Sequence, residues 1–546
     1  MAFMLLAGFG FAGNQLNQAQ AISKANAFLA EAGQNLTFGQ AADVSIADVS
    51  VFMVENENLA HIVHLKPQGF IIVSSYSHPS PIIGFSMESN FPDKAESSDL
   101  PVYNVVKGIA LSMKSRANEA PIVEPSHKNT SEVIYGPYVT TLWGQVNCQN
   151  NQGTSIYVTN YYTPNHYAAG CVAVSMATLL HHYQWPLKGV GSHSYYDGYG
   201  SSNGNYSADF GNTNYSWDDM LYKYNNQAST TVQQEAAGEL AFHAAVALEM
   251  DFEYNGSTSN VNKIPGCGAD YFRFYSFYKS ESSSVFWPRL DKNMTEANPV
   301  ILSVSSNTGY GHSVVCDGLW LTNNEERFYH LNMGWWGSGN GWFTIHEEFN
   351  ASGYTSIGGG ILDFIPMPIL NDALIAPDTN MFHLNWVFTQ VIEADAYEVQ
   401  RKINTGSWQT IAEDYPDTSL LIVVEDLTDD IYFRVRAKVN GDWYPASWSN
   451  QVQLDILTNI IRLKNDKQVS VYPNPFNENF TIKYPEVTGQ NSSIKIYNAA
   501  GLLYYETNES LDPAGINVSS GSWPKGLYFI DVETVNSHQL LKTIKQ

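Results

Sequence analysis

Apolar positions recur with period two over most of this chain, and one run at helical spacing interrupts the pattern about a third of the way along. That run is Gly170-Cys171-Val172-Ala173-Val174-Ser175-Met176-Ala177-Thr178-Leu179-Leu180-His181-His182-Tyr183, and it predicts an apolar helix that opens at Cys171. Ahead of it, Ala21 to Leu29 reads as a short amphipathic helix. Val51 to Val54, Ala60 to Leu65 and Gly69 to Ser74 then read as strands of a meander, with Pro81 to Ser86 following. The stretch from Glu119 to Ser131 has two prolines and no periodicity, which predicts a linker. Behind the helix, Gly311 to Gly318 predicts a short apolar strand. From about residue 367, Phe382 to Trp386, Ala396 to Arg401 and Tyr432 to Ala437 alternate strictly, as strands of a sandwich do. Val471 to Phe476, Ile494 to Gly501, Lys525 to Ile530 and Leu541 to Lys545 punctuate the last stretch.

Charge and composition narrow the class. With 28 Lys and Arg against 53 Asp and Glu, the net charge is −25, which excludes nucleic acid as a partner and favours solubility. Only 15% of residues are charged and 33 are tyrosine, a balance that fits an exported, β-rich protein. At 546 residues the chain has room for several domains. Ala2 to Ala12 resembles the apolar core of a signal peptide without its basic leader, as a truncated or misassigned start would leave it. No later segment reaches the roughly 20 apolar residues of a spanning helix, so no membrane span is expected.

The candidate chemistry centres on Cys171. A thiol in the first turn of a helix meets partial positive charge and unsatisfied N–H groups, both of which favour the thiolate. Cysteine catalysis also needs an imidazole to hold the proton and return it, and His312 in its apolar strand is the candidate. Gln145, in Leu142-Trp143-Gly144-Gln145, could donate its side-chain amide to an oxyanion, with the backbone N–H of Cys171 as second donor. Asn332 could orient the imidazole. The order Gln, Cys, His, Asn is that of papain-like peptidases. Gly311, Trp335 and Trp336 are candidates for the substrate cleft. No HExxH or CxxC occurs, so no metal and no organic cofactor is expected. Of the remaining cysteines, Cys316 reads as a buried thiol, and Cys148 with Cys267 is the pair open to bridging.

These motifs resemble the streptopain family of cysteine peptidases, which includes streptopain and interpain. Gly170-Cys171 through Trp185-Pro186 is similar to its nucleophile helix, Gly311 to Gly318 to its histidine strand, and Phe328 to Asn332 with Gly334-Trp335-Trp336-Gly337 to its asparagine segment. Met250 to Ser257 resembles a further family loop more loosely. The family's tryptophan after the asparagine is Met333 here, and a glutamine of its nucleophile helix is Thr178. Gly69-Phe70-Ile71-Ile72-Val73-Ser74 with Pro81 to Ser86 resembles the family's propeptide. Leu427 with Tyr432, and Trp386 in a core, resemble a fibronectin type III sandwich. Val471-Tyr472-Pro473-Asn474-Pro475-Phe476 and the lysine-rich end resemble the sorting domain of the type IX secretion system.

The resemblance implies an α+β, papain-like core of two subdomains with an α+β propeptide, followed by two β-sandwich domains. Its expected layout is a signal peptide at 1–20, propeptide at 21–130, peptidase at 131–366, fibronectin type III-like domain at 367–458 and sorting domain at 468–546. It implies a secreted endopeptidase zymogen that hydrolyses proteins or peptides, is inhibited by its own propeptide, and reaches the outside or the outer-membrane surface through the periplasm and the type IX machinery. Two other classes compete. One is a catalytically inactive protease-like inhibitor or surface adhesin. The other is a carbohydrate- or matrix-binding protein acting through the fibronectin-like domain.

Overall fold

A computed structural model of the chain describes residues 15–32, 44–78, 80–93, 100–117, 132–200, 202–254, 256–305, 311–323, 326–346, 357–375, 380–426, 428–456, 469–483, 493–499, 502–508, 515–534 and 537–546. The signal-like start, the linker at 119–131 and Leu427 lie outside the described residues.

One sheet runs through the first two thirds of the chain. Strands Ser45–Val54, Glu57–Lys66, Phe70–Ser74 and Ile82–Ser86 form an antiparallel meander. The meander does not end at Ile82–Ser86. That strand pairs with Gly341–Phe343, placing Phe85 opposite Trp342 and Gly84 opposite Phe343. The order then continues through Arg327–Asn332, Gly311–Leu321, Val300–Ser305, Ile357–Pro366 and Phe274–Ser280, with Val133–Tyr135 added to Gly311–Leu321. The N-terminal segment and the histidine strand therefore share one ladder of hydrogen bonds.

Alternation along this sheet sorts its side chains. Val314, Cys316 and Leu331 point into a core built with the N-terminal segment, while Val315 joins the core of the helical half. Helix α1 (Gln18–Ala32) lays Ala21 and Ala25 against Phe85, Trp320, Phe328 and Trp342. Helix α2 (Pro101–Arg116) turns Val102, Val105, Val106 and Ile109 toward Leu302, Val304 and Met333. Its proline stands in the first turn, where the missing N–H costs nothing.

The helical half is built on α3 (Cys171–Tyr183), buried from Val172 to His181 as a core helix must be when apolar all round. It packs against α4 (Thr231–Ala247), which Thr230 and Gln233 open with a reciprocal capping box. Helix α5 (Ile264–Tyr271) joins this core, whereas α6 (Phe286–Thr295) packs Phe286, Leu290 and Met294 into the core shared with the N-terminal segment. The fold class is thus α+β, with β-rich C-terminal domains. No helix among the described residues is long and apolar enough to cross a membrane.

Beyond Pro366, two sheets enclose a core of Leu384, Trp386, Val399, Phe433 and Val435. Tyr432 departs from the tyrosine-corner expectation. It lies on the outward face, with the Lys402 ammonium 4.5 Å from its ring centre. The last residues form two further small sheets around Phe476, Phe480, Val518, Tyr528 and Ile530. All four cysteines are free thiols, so the pairing entertained for Cys148 and Cys267 does not form. Cys267 instead donates to the Ala247 carbonyl at 2.9 Å, and burial pushes both thiols up to about 12.

The seam between the N-terminal segment and the peptidase depends on a glycine. A Cβ at Gly84 would stand 2.5 Å from Phe343 Cδ1 and 2.7 Å from the Trp342 carbonyl oxygen, and the paired backbone cannot retreat. Gly84→Val is expected to lower the stability of the full chain by about 1–3 kcal/mol and to speed proteolysis of the N-terminal segment. An unchanged urea midpoint with unchanged digestion would show that this seam does not hold the two parts together.

A second prediction concerns acid. Burial pushes His181 and His243 down to about 4, so both stay neutral in the folded core. Both are ordinary histidines in the unfolded chain, near 6.5. Their contribution, on the order of 3 kcal/mol apiece, is fully present above pH ~6.5 and is lost as pH falls toward about 4. Urea midpoints should therefore drop across that window, and His243→Gln should flatten the slope. A midpoint constant from pH 7 to pH 4.5 contradicts this assignment.

Candidate active site

The segment Thr141 to Gln145 is a spine on which the candidate residues hang. The Thr141 carbonyl accepts a hydrogen bond from Asn332 Nδ2 at 2.7 Å, and the Thr141 hydroxyl meets His181 Nδ1 at 2.7 Å inside the core. Trp143 stacks on His181 with ring centres 4.8 Å apart. The Trp143 carbonyl accepts from the Trp336 N–H at 3.3 Å. Gly144 bridges Trp335, and the Trp336 indole lies so close over Gly144 that a Cβ there would stand 2.5 Å from Nε1. The Gln145 carbonyl accepts from Ala169 N at 2.8 Å, which sets Gln145 beside the start of α3.

Gly170 allows that start. Its φ of 86° is left-handed, and a Cβ would meet Met250 Sδ at 2.7 Å. Met250, from the loop singled out in the sequence, therefore packs directly behind the residue before Cys171. Cys171 follows as the first residue of α3. One turn on, the Ser175 hydroxyl donates to the Cys171 carbonyl at 2.8 Å and meets the Ser313 hydroxyl at 2.6 Å. Ser313 is the residue after His312, so this contact fixes the helix start against the histidine strand.

The electrostatics differ from the expectation of a helix-prepared thiolate. Burial pushes the Cys171 thiol up, and the backbone N–H groups of Ser313, Val172 and Cys171 itself pull the other way without prevailing. As a residue Cys171 retains some exposure, but its sulfur is enclosed by protein. Charge on this sulfur therefore needs a cationic partner in addition to the helix.

His312 lies half-buried near the start of Gly311–Leu321, opposite Val304. The strand is longer than the sequence predicts because neighbours pair with it on both sides. Asn332 ends the neighbouring strand Arg327–Asn332, opposite Val315, with its Oδ1 accepting from Gly334 N at 3.1 Å. Its amide plane is thus fixed by Thr141 and Gly334. Met333 is fully buried in the core shared with the N-terminal segment, and its N–H donates to Asn340 Oδ1 at 2.8 Å. Trp335 packs toward that same core, Trp336 toward the core of the helical half, as Cys171 does. Trp336 has a left-handed φ of 56°, and its buried indole N–H has no partner. Gly311 is exposed at the mouth of the strand, and Thr178 is buried in α3.

One buried histidine–carboxylate pair lies outside the candidate residues. His330 Nδ1 and Asp317 Oδ1 are 2.6 Å apart and buried, and Asp317 Oδ2 accepts from Val139 N at 2.9 Å, tying the chain entering the spine to the sheet. Sequence reasoning missed Thr141, His181 as its partner, and the Ser175–Ser313 contact. None has a local signature, since each acts through a residue distant in the chain.

Two parts of the chain match known protein families. Residues 143–343 match the peptidase C10 family, and residues 470–546 match the secretion system C-terminal sorting domain. Streptopain of Streptococcus pyogenes is 23% identical over 342 residues, 58% of this chain and 81% of that protein. The thiol protease/hemagglutinin PrtT of Porphyromonas gingivalis is 26% identical over 210 residues, 35% of this chain and 22% of that protein. A solved fragment of prointerpain A from Prevotella intermedia is 22% identical with a TM-score of 0.45, the alignment covering 57% of this chain and 98% of that one. The chain is thus a streptopain-like cysteine peptidase that carries a peptidase C10 domain over residues 143–343, and it ends in the sorting domain that directs type IX secretion to the cell surface or the extracellular space.

Proposed function

We propose that Cys171 is the nucleophile of this peptidase and His312 its general base and acid. The thiolate attacks the scissile carbonyl, and the imidazolium returns its proton to the leaving amine. Gln145 and the Cys171 N–H hold the tetrahedral oxyanion, and Asn332 aims the imidazole. Gly311, Trp335 and Trp336 border the cleft that takes an extended protein or peptide substrate. The observation that carries this reading is the seating of the Cys171 helix on Ser313, next to His312, through the buried Ser175 hydroxyl.

The N-terminal segment, with 21–130 as its bounds, is read as an inhibitory propeptide ahead of a peptidase domain at 131–366. Support comes from what it touches. The Ser89 hydroxyl donates to the Asn340 carbonyl at 2.9 Å, and Val102 of α2 lies 3.0 Å from where a Cβ of Gly339 would stand. Asn340 in turn accepts from Met333, the residue after Asn332. The segment thus grips the loop that carries both cleft tryptophans. Residues 367–458 are read as a fibronectin type III-like domain and 468–546 as the sorting unit.

Two experiments bear on this reading. Cys171→Ala is expected to lower peptide hydrolysis by at least ~10⁴-fold while leaving folding nearly intact. Casein cleavage at near wild-type rate by a protease-free preparation of the variant would reject the nucleophile. A chain beginning near Ser131 should be more active than the full-length protein, and the separate segment 21–130 should inhibit it in trans. Equal specific activity of the two would identify the segment as a constitutive domain.

A further inference from the structure

The far end of the nucleophile helix is completed by a different domain. At the C-terminus of α3 the chain turns left-handed at Gln184, whose φ is 46°. The Gln184 N–H donates to the His181 carbonyl at 3.2 Å, and the Trp185 N–H to the Leu180 carbonyl at 3.4 Å. Tyr183, the last helical residue, is fully buried, and its carbonyl is among those a helix cannot satisfy from within. The hydroxyl of Thr389, from the sandwich side of Pro366, donates to it at 2.7 Å, and Thr389 is only 6% exposed. Trp185 donates its indole N–H to the Met367 carbonyl at 3.2 Å and lies with its ring centre 6.4 Å from that of Phe388. Ile392 packs against the core of the helical half and that of the sandwich alike.

A second contact lies at α6. Arg289 grips Asp363 with two parallel hydrogen bonds of 2.7 Å and reaches Asp442 of the sandwich at 3.3 Å. Lys292 meets the same Asp442 carboxylate at 2.6 Å. The Arg289 guanidinium stands 5.7 Å from the ring centre of Tyr444, a fully buried sandwich residue that also lies against Tyr275 of the catalytic sheet. Asn440 Nδ2 donates to the Glu296 carbonyl at 2.9 Å. Domains joined by one small polar contact move relative to each other by default, whereas two separate anchors with apolar residues common to both cores fix orientation as well as distance.

We propose that the sandwich at Ile369–Ile456 is a fixed part of the working peptidase rather than a spacer, and that Thr389 is a positioning residue for the nucleophile. It acts through the Tyr183 carbonyl on α3, a buried rod about 20 Å long with Cys171 at its other end. Small displacements of a reacting atom cost rate steeply, so a helix held at one end only would lose turnover before binding. The catalytic half of the proposal rests on Cys171 being the nucleophile.

The test uses the full chain. On heating, the peptidase and the sandwich should unfold in one shared transition, and Asp442→Lys should lower its midpoint. After activation, Thr389→Val should lower kcat about three- to tenfold with KM unchanged, as loss of one buried hydrogen bond predicts, and Thr389→Ser should restore it. A sandwich that melts separately while the peptidase transition stays put overturns the proposal. So does a Thr389→Val enzyme with wild-type kcat, or a loss that Thr389→Ser shares. The melting experiment needs no catalysis, so it fails or succeeds independently of the assignment of Cys171.

Discussion

A single buried hydroxyl pair, Ser175 with Ser313 at 2.6 Å, is the joint on which this peptidase is assembled. One hydroxyl belongs to the cysteine helix and the other to the histidine strand. Between them they set how far the helical half stands from the sheet half. Both residues are buried, so the contact is dry and removing either oxygen would leave the other without a partner at full desolvation cost. Ser175 also donates its hydroxyl proton to the Cys171 carbonyl, one turn back. The helix start is therefore fixed along its axis as well as across the interface. The remaining site residues are arranged around this joint by the Thr141 to Gln145 spine, which touches Asn332, His181, Trp336 and Ala169 in turn.

The same sheet that carries His312 also carries the N-terminal segment, and that continuity has an energetic consequence. An inhibitor docked only over a cleft can leave by breaking side-chain contacts. This segment adds a strand to Gly341–Phe343 and shares a core with Leu302, Val304, Val314 and Met333, so its departure would open a strand edge and expose that core together. Exposed edges and apolar patches of this kind are costly in water. Peptidase and segment therefore share one sheet and one core.

Much of this was legible in the sequence because it was local. Apolar residues at helical spacing marked α3, and the glycine ahead of Cys171 marked its start, although the left-handed φ and the close Met250 sulfur behind that glycine could not be read from it. The helix expected at Ala21 to Leu29 extends to Gln18–Ala32, and the histidine strand runs on to Leu321 once both its neighbours pair with it. What stayed hidden was nonlocal. The joining of Ile82–Ser86 to Gly341–Phe343 links segments far apart in the chain, and each strand alone shows only ordinary alternation. The reading of Tyr432 as a corner residue failed for a related reason. Its alternation with Ile431 and Phe433 was visible, but which face was buried depended on the second sheet.

The thiol itself shows why magnitudes matter more than motifs. A helix N-terminus stabilises a neighbouring anion by at most about 2 kcal/mol, and less where solvent screens it. Enclosing an unpaired thiolate in protein costs several kcal/mol. Burial therefore prevails at Cys171 even with three backbone N–H groups aimed at the sulfur. Ionising the sulfur requires an adjacent imidazolium rather than a better helix. With Cys171 as the proposed nucleophile and His312 as its proposed base, the decisive variable for activity is the separation of the two. That separation is set by the Ser175–Ser313 joint at one end of α3 and by whatever holds Tyr183 at the other.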